Sequence, residues 1–465
     1  MANYDLTLVN VGPNVPRHKD GRMLKPPPLG VLTLAGFIRD HGYSVQVLDY
    51  QLNDYAIEEQ LLPSSFARFL GERVKAPLLG VSTMGGMMPV VLLGLEEFKK
   101  QHKEIPVILG GAGPSNGPSE ILKCFPAIDV VVNGEGEEPL LALMRSLDSA
   151  SSIAGVVSRS GNNIIENPQG PRIMDADTLS APAWDLIDLD RYLVACIVTA
   201  RGCPFSCEFC EVPRFWGNRV TRRSMDLIID EIKMLRRLGK RQININDDTF
   251  VYNKKWVVEF CKRLIDEKLD ISWECFGRVE LMNETMMTWM VKAGCTGIFY
   301  GIESGNDEIL AKMVKGLTIS KARETVKLSV KHFKRVYTSF IWGFPYESMD
   351  QFFDTVMVMT EFAGMGAQVM RNYLTLRPMA PLYDDYKDQM LYSDDLPYQF
   401  LEVPRKLLPL EVIDAIKTYP GLFPGFYYVA SPEFEEKRRF MEWLESLGPG
   451  RWEILNNKVS RIIAA

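Results

Sequence analysis

Residues 199–217 read TARGCPFSCEFCEVPRFWG, placing Cys203, Cys207 and Cys210 close together just after a short apolar run. The chain has 8 cysteines in 465 residues, and chance would set two partners at fixed offsets from a third with a probability of roughly 0.002. The spacing therefore has a chemical reason. Cysteines this sparse are no disulfide scaffold, and in a reducing compartment clustered thiols point to metal or catalysis. Structural zinc closes a tetrahedron with four protein ligands. No fourth Cys or His lies at zinc-finger spacing; the nearest are Cys196, in a strand-like run, and Cys261, in a helix-like one. A catalytic zinc held by three thiolates would be a poor Lewis acid. A four-iron cluster normally takes four thiolates, so three would leave one iron open to a substrate or cofactor.

From the cysteines onward, strand-like and helix-like segments alternate. ACIVTARG, QININDD, ISWECFGRV, GIFYGIES, RVYTSFIWGFP and AQVMRNYLTL are strand candidates, and the repeat of about 30 residues is that of βα units. Between the first two, MDLIIDEIKMLRRLG has apolar residues at 225, 228, 229, 232 and 235, with Ser224 placed to cap its start and Gly239 to end it. The expectation is a partial (β/α)6 barrel over 192–385. In such a barrel reacting groups stand at the carboxyl ends of the strands. The cysteine triplet falls there, as do Asp247, Asp248, Arg278, Glu303 and the run Pro345-Tyr346-Glu347.

Upstream, YDLTLVNV, YSVQVLDY, LLGVSTM, PVILGG and DVVVNGEG have the length and β-branched content of buried parallel strands, with helical stretches between most of them. They predict a Rossmann-like doubly wound α/β domain over 1–149. Sheets of this kind bind ligands beyond the carboxyl ends of their strands. Those ends hold Asn10, Gly12, Ser82, Thr83, Gly85, Gly110, Gly111, Gly134 and Glu135, small or polar residues that let a backbone approach a large ligand. No GxGxxG opens the first helix, so an ordinary dinucleotide site is excluded. Residues 150–191 predict a linker with a hairpin turning at Gly161-Asn162-Asn163. Residues 386–465 predict a mostly helical C-terminal extension, in which Phe423, Phe426, Tyr427 and Tyr428 belong to a core.

Charge narrows the partners. With 53 basic and 59 acidic residues the net charge is -6, which gives no basic field for nucleic acid. No run approaches about 18 consecutive apolar residues, and MANYDLTLVNVG enters a strand-like segment directly, so neither a membrane span nor a signal peptide is expected and the cytoplasm is the default location.

The motif Cys203-x3-Cys207-x2-Cys210, with Phe209 just before its last cysteine, resembles the signature of the radical S-adenosylmethionine (SAM) superfamily. The alternation ending in DVVVNGEGEEPLLALM, the segment APAWDLIDLDRY, and then ARGCPFSCEFC and RFWGNRVTRRS resemble its cobalamin-binding-domain class over roughly residues 1–385. The resemblance implies a 4Fe-4S cluster on the three cysteines, whose open iron chelates SAM and whose reduction yields a 5'-deoxyadenosyl radical. It places SAM near Phe209, Asp247, Asp248, Arg278 and Glu303, and cobalamin against the glycine-rich edge upstream. The class includes methyltransferases, a cyclase of bacteriochlorophyll synthesis, and members that bind no cobalamin. A methyltransferase acting on a small molecule is the reading carried forward. A cyclase, dehydratase or rearrangement enzyme that moves no methyl group, with or without cobalamin, is the alternative. The resemblance further implies a flavodoxin or ferredoxin electron donor. Two departures stand out: Asp247-Asp248 replaces the usual Gly-Gly-Glu, and the DxHxxG motif of the lower axial ligand is missing, with His18 in the first loop outside that context.

Overall fold

The computed structural model describes residues 3–12, 17–396, 407–431 and 433–446. The chain divides into two compact units, one of residues 1–194 and 392–427, the other of residues 195–391 and 428–465.

The first unit is built on a seven-stranded sheet. Its strands are β1 (Leu6–Val11), β2 (Val45–Asp49), β3 (Leu79–Thr83), β4 (Val107–Gly110), β5 (Val130–Val132), β6 (Val156–Ser160) and β7 (Asn163–Glu166). Their spatial order is β2-β1-β3-β4-β5-β6-β7. The first five strands run parallel, and their near-continuous apolar content follows from helices covering both faces. Strand order reverses between β1 and β3, which makes the carboxyl edge there the topological switch point of a doubly wound sheet. The hairpin expected inside a linker is part of this sheet. Val156 and Val157 are buried against β5, and β6 pairs with it antiparallel, so the hairpin covers an edge whose backbone groups would otherwise go unpaired.

The second unit carries six parallel strands: β8 (Ala195–Ile197), then, after the short antiparallel pair β9 (Ala200–Arg201) and β10 (Thr221–Arg222), β11 (Gln242–Ile245), β12 (Ser272–Gly277), β13 (Cys295–Glu303), β14 (Arg335–Trp342) and β15 (Gln368–Tyr373). They lie in the order β15-β14-β13-β12-β11-β8, so each βα unit adds the next strand on the same side. The helix Met225–Arg237 buries Ile228, Ile229, Ile232 and Leu235, as its pattern requires. Gly239, at φ 81, closes it with bonds from its own N–H to the Arg236 carbonyl and from Lys240 N–H to that of Leu235. Ser224 occupies the N-cap position without a side-chain capping bond.

The C-terminal segment divides between the units. The helix Leu410–Thr418 belongs to the first and the helix Phe434–Ser446 to the second. Phe423, Phe426 and Tyr427 are buried, as aromatic spacing anticipates. Part of the expected extension, residues 397–406, 432 and 447–465, lies outside the described residues.

Candidate active site

The cysteine loop begins where β8 ends, and two aspartates pin it. Asp247 follows β11 and is almost fully buried. One of its oxygens accepts from Thr199 N at 2.6 Å and Ala200 N at 3.1 Å, the other from the Thr199 hydroxyl. Arg222 Nη1 lies 3.9 Å away. Burial pushes the Asp247 carboxyl up and Arg222 pulls it back down, the net direction being upward. With its acceptor sites turned into residues 199–200, this side chain braces the strand end. Arg222 stacks over Trp256, 3.7 Å from the ring centroid, so the RRS end of the downstream motif is tied to the same brace. Asp248 accepts from Gly202 N at 2.9 Å, one residue before the first cysteine.

The three thiols then line one loop. Cys203 Sγ sits 3.3 Å from Thr249 Oγ1. Cys207 is buried, and Arg278 Nη1 donates to its sulfur at 3.4 Å. Cys210 N–H bonds back to the Cys207 carbonyl at 3.1 Å, a tight turn that keeps the last two thiols together. Further along, Glu208 N donates to Met313 O at 3.1 Å and Leu382 N to Glu208 O at 3.0 Å, so the loop is fixed from both sides. Burial raises the Cys210 thiol to about 12, and the neighbouring Cys207 and Cys203 add to it. Among the described residues no group of three or more Cys, His, Asp and Glu converges on one ion position. A cluster offers each thiolate a different iron, and Cys203, Cys207 and Cys210 supply three from one loop.

Beside the loop stands Glu303, at the end of β13. Its φ is 71, unusual for a residue with a side chain, and the β13–β14 register slips between Gly301 and Glu303. Such strain persists only where the surroundings impose it. Next to it is Lys315, whose Nζ lies 2.8 Å from Glu303 Oε1 and 5.6 Å from the centroid of Phe209. The bond commits one Glu303 oxygen to a lysine rather than to an external ligand. Glu347, after β14, accepts from Gly343 N at 2.9 Å and faces Lys437 Nζ at 3.4 Å, with both side chains fully buried.

Lys315, Thr199, Thr249, Arg222 and Glu280 were not singled out in the sequence. Thr249 adjoins Asp248, and Lys315 precedes Gly316, whose φ of 67 marks a tight turn. Thr199, Arg222 and Glu280 carry no such local signal and are found only through their partners in space.

On the first unit's carboxyl edge, Asn10 and Ser82 are register partners across the switch point, as are Val11 and Thr83. Asn10 donates to Asp49 Oδ1 at 3.0 Å and the Thr83 hydroxyl donates to Val11 O at 3.2 Å, so both secure the edge itself. Gly12 lies against the Gln51 side chain. Gly111 has φ 99, and a Cβ there would stand 2.9 Å from the Thr83 carbonyl oxygen. Gly85 is drawn in beside Gly113, where a Cβ would come within 2.9 Å of Gly85 N. The result is two strand-end loops in close backbone contact, which a Cβ at Gly111 or Gly113 would force apart. Gly110 and Gly134 continue that edge, and Glu135 turns aside to accept from Ile173 N at 2.7 Å. His18 pairs with Asp20 at 2.9 Å.

Two sequence families overlie these features. The Radical SAM superfamily matches residues 197–358, and the B12 binding domain matches residues 23–144. An uncharacterised methyltransferase of Pyrococcus horikoshii is 30% identical over 334 residues, covering 70% of this chain and 71% of that one. The chain belongs to the cobalamin-binding class of radical SAM enzymes. Its cofactors are accordingly a 4Fe-4S cluster, SAM and cobalamin. Within the class, an anaerobic magnesium-protoporphyrin IX monomethyl ester cyclase of Cereibacter sphaeroides is 25% identical, covering 84% of this chain and 66% of that one. The radical SAM methyltransferase TsrM of Kitasatospora setae, solved with cobalamin and a 4Fe-4S cluster bound, superposes with a TM-score of 0.68 at 17% identity, over 92% of this chain and 84% of that one. This is a likeness of fold. Among the described residues no helix is long and apolar enough to cross a membrane.

Proposed function

We propose that this radical SAM enzyme is a C-methyltransferase acting on a small-molecule intermediate. The observation that carries the reading is the pairing of a three-thiol loop at a barrel's carboxyl edge with a glycine-lined switch point on a second sheet. When bound, the cluster and SAM supply a 5'-deoxyadenosyl radical, and cobalamin supplies a methyl carrier. Cys203, Cys207 and Cys210 hold the cluster. Asp247 and Asp248 keep their loop on the strand end through backbone N–H groups. Phe209 and the Glu303–Lys315 pair would line the side of that loop offered to SAM. Glu303 keeps one carboxylate oxygen for SAM, while Lys315 holds the other. On the first unit, Asn10, Gly12, Ser82, Thr83, Gly85, Gly110, Gly111, Gly134 and Glu135 shape the cobalamin edge, and no histidine in a DxHxxG context serves as lower ligand.

A reducing cytoplasm and a flavodoxin or ferredoxin type donor fit the low-potential electron such a cluster needs. Incubating reduced enzyme and substrate with SAM deuterated in its methyl group should give 5'-deoxyadenosine and S-adenosylhomocysteine together. Formation of 5'-deoxyadenosine alone would sink methyl transfer. It would favour a second reading, cyclisation without methyl transfer, which the likeness to the Cereibacter sphaeroides cyclase supports.

A further inference from the structure

Each of the three guanidinium nitrogens of Arg278, which the resemblance placed near SAM, donates to a neighbour within the protein. The residue is 6% exposed. Nη1 donates to Cys207 Sγ at 3.4 Å, Nη2 to the Lys315 carbonyl, and Nε to Glu280. One face of the planar group lies over Phe205, 3.8 Å from the ring centroid. Phe205 is itself part of the loop between Cys203 and Cys207. A single side chain therefore grips this loop twice, once at a sulfur and once at an aromatic ring, while two further bonds fix its own orientation.

We propose that Arg278 is a positioning residue for the cluster: it donates an N–H···S hydrogen bond to Cys207 and so holds the bound cluster at a less negative reduction potential. The inference rests on the reading that Cys207 is a cluster ligand. Its physical basis is direct. A guanidinium is a permanent cation with a rigid fork of donors, and hydrogen bonds to cluster sulfurs and nearby charge set cluster potentials. Reduction adds negative charge to the cluster, which a cationic donor at the sulfur stabilises. Glu280 opposes this on the far side of the guanidinium. Removing Arg278 would both delete the donor and leave the partly buried Glu280 carboxylate without its partner. Both changes push the potential the same way. Neutralising Glu280 pushes it the other way.

The test is a redox titration of the reconstituted full-length protein without SAM, followed by electron paramagnetic resonance of the reduced cluster. Arg278→Met should move the midpoint to more negative potential. A tenfold fall in the reduced-to-oxidised ratio at fixed potential, about 59 mV for a one-electron couple, is the scale expected. Arg278→Lys should shift it less, and Glu280→Gln should shift it positive. Because Glu280→Gln leaves Arg278 in place, it decides the matter even if the arginine variants lose iron. Midpoints equal to wild type in Arg278→Met and Glu280→Gln, or weaker SAM binding in Arg278→Met at an unshifted midpoint, overturn the inference. The underlying reading is checked separately by Cys207→Ala, which should not retain a full cluster. Wild-type iron and signal in that variant would defeat the ligand assignment itself, whereas a full cluster with an unmoved midpoint in Arg278→Met defeats only the arginine's role.

Discussion

Lys315 Nζ stands 2.8 Å from Glu303 Oε1, and each residue is 6% exposed. A buried pair adds little over an apolar substitute, but removing one partner strands the other's charge at a cost of about 3–5 kcal/mol. Lys315→Met should therefore lower the midpoint of thermal unfolding clearly. The double variant Lys315→Met, Glu303→Gln should regain much of that loss while remaining inactive in 5'-deoxyadenosine formation. Calorimetry and a single-turnover product assay read the two quantities separately. Equal stability of the single and double variants would show that the two side chains are not coupled.

A second buried carboxylate gives a pH dependence. Asp49 ends β2, accepts from Asn10 and from Gln51 N, and takes a bond from the Tyr192 hydroxyl. Burial raises its carboxyl above the ordinary 3.8, and these bonds only partly offset the rise. The folded state therefore binds the proton more tightly than the unfolded one. Its contribution to stability is fully present below the ordinary value and is lost as pH rises through the raised folded value. Asp49→Asn should remove this loss, so the urea midpoint of the variant should gain on wild type as pH is raised from about 4 toward neutrality. A constant difference across that range would mean that Asp49 does not titrate differently on folding.

The elements that sequence rendered legible are those in which one pattern serves one purpose. Ile228, Ile229, Ile232 and Leu235 show helical spacing because they are buried on one side, and β3 and β4 read as apolar runs because both sheet faces are covered. The cysteine spacing was equally plain, since thiols are rare. Partners chosen by three-dimensional proximity were hidden. Asp247 looked free to meet a ligand, and only the placement of residues 199–200 beside it shows where its acceptors go. Arg278 and Cys207 are 71 positions apart, and nothing local announces their contact. The hairpin at 156–166 reads as a linker from its polar turn, because its role depends on the open edge of β5.

The helix Phe434–Ser446 is fastened by one buried cation. Lys437 Nζ reaches the Glu347 carboxylate at 3.4 Å and donates to the Glu347 carbonyl, while Phe434 stacks 5.4 Å from Trp342 at the end of β14. Lys437→Met would leave Glu347 with the Gly343 N–H as its remaining bond. A loss of about 3–5 kcal/mol is expected for breaking such a pair, concentrated on this helix. Limited proteolysis should then cleave within 434–446 well before the barrel strands, and hydrogen exchange should rise there first. Unchanged protection of the helix would show that its aromatic contacts alone suffice.

The glycine-lined edge of the first unit gives a prediction that separates its role from that of the cysteine loop. Gly111 adopts φ 99, a conformation costly for any residue with a Cβ, and the added atom would meet the Thr83 carbonyl oxygen at 2.9 Å. Gly111→Val must therefore push the β4 loop away from the β3 loop. Strands β3 and β4 pair from Leu79↔Val107 to Ser82↔Gly110, so the disturbance begins at the last rung and the core of the sheet is spared. Cobalt bound after purification with cobalamin supplied should fall at least tenfold, while iron per chain and the absorbance of the cluster stay at wild-type values, because the thiols belong to the other unit. Retained cobalt in Gly111→Val would move the cobalamin site away from this edge. Parallel loss of iron and cobalt would mean that the substitution unfolds more than the loop, and Gly111→Ala, with its smaller intrusion, would then be the variant that distinguishes the two.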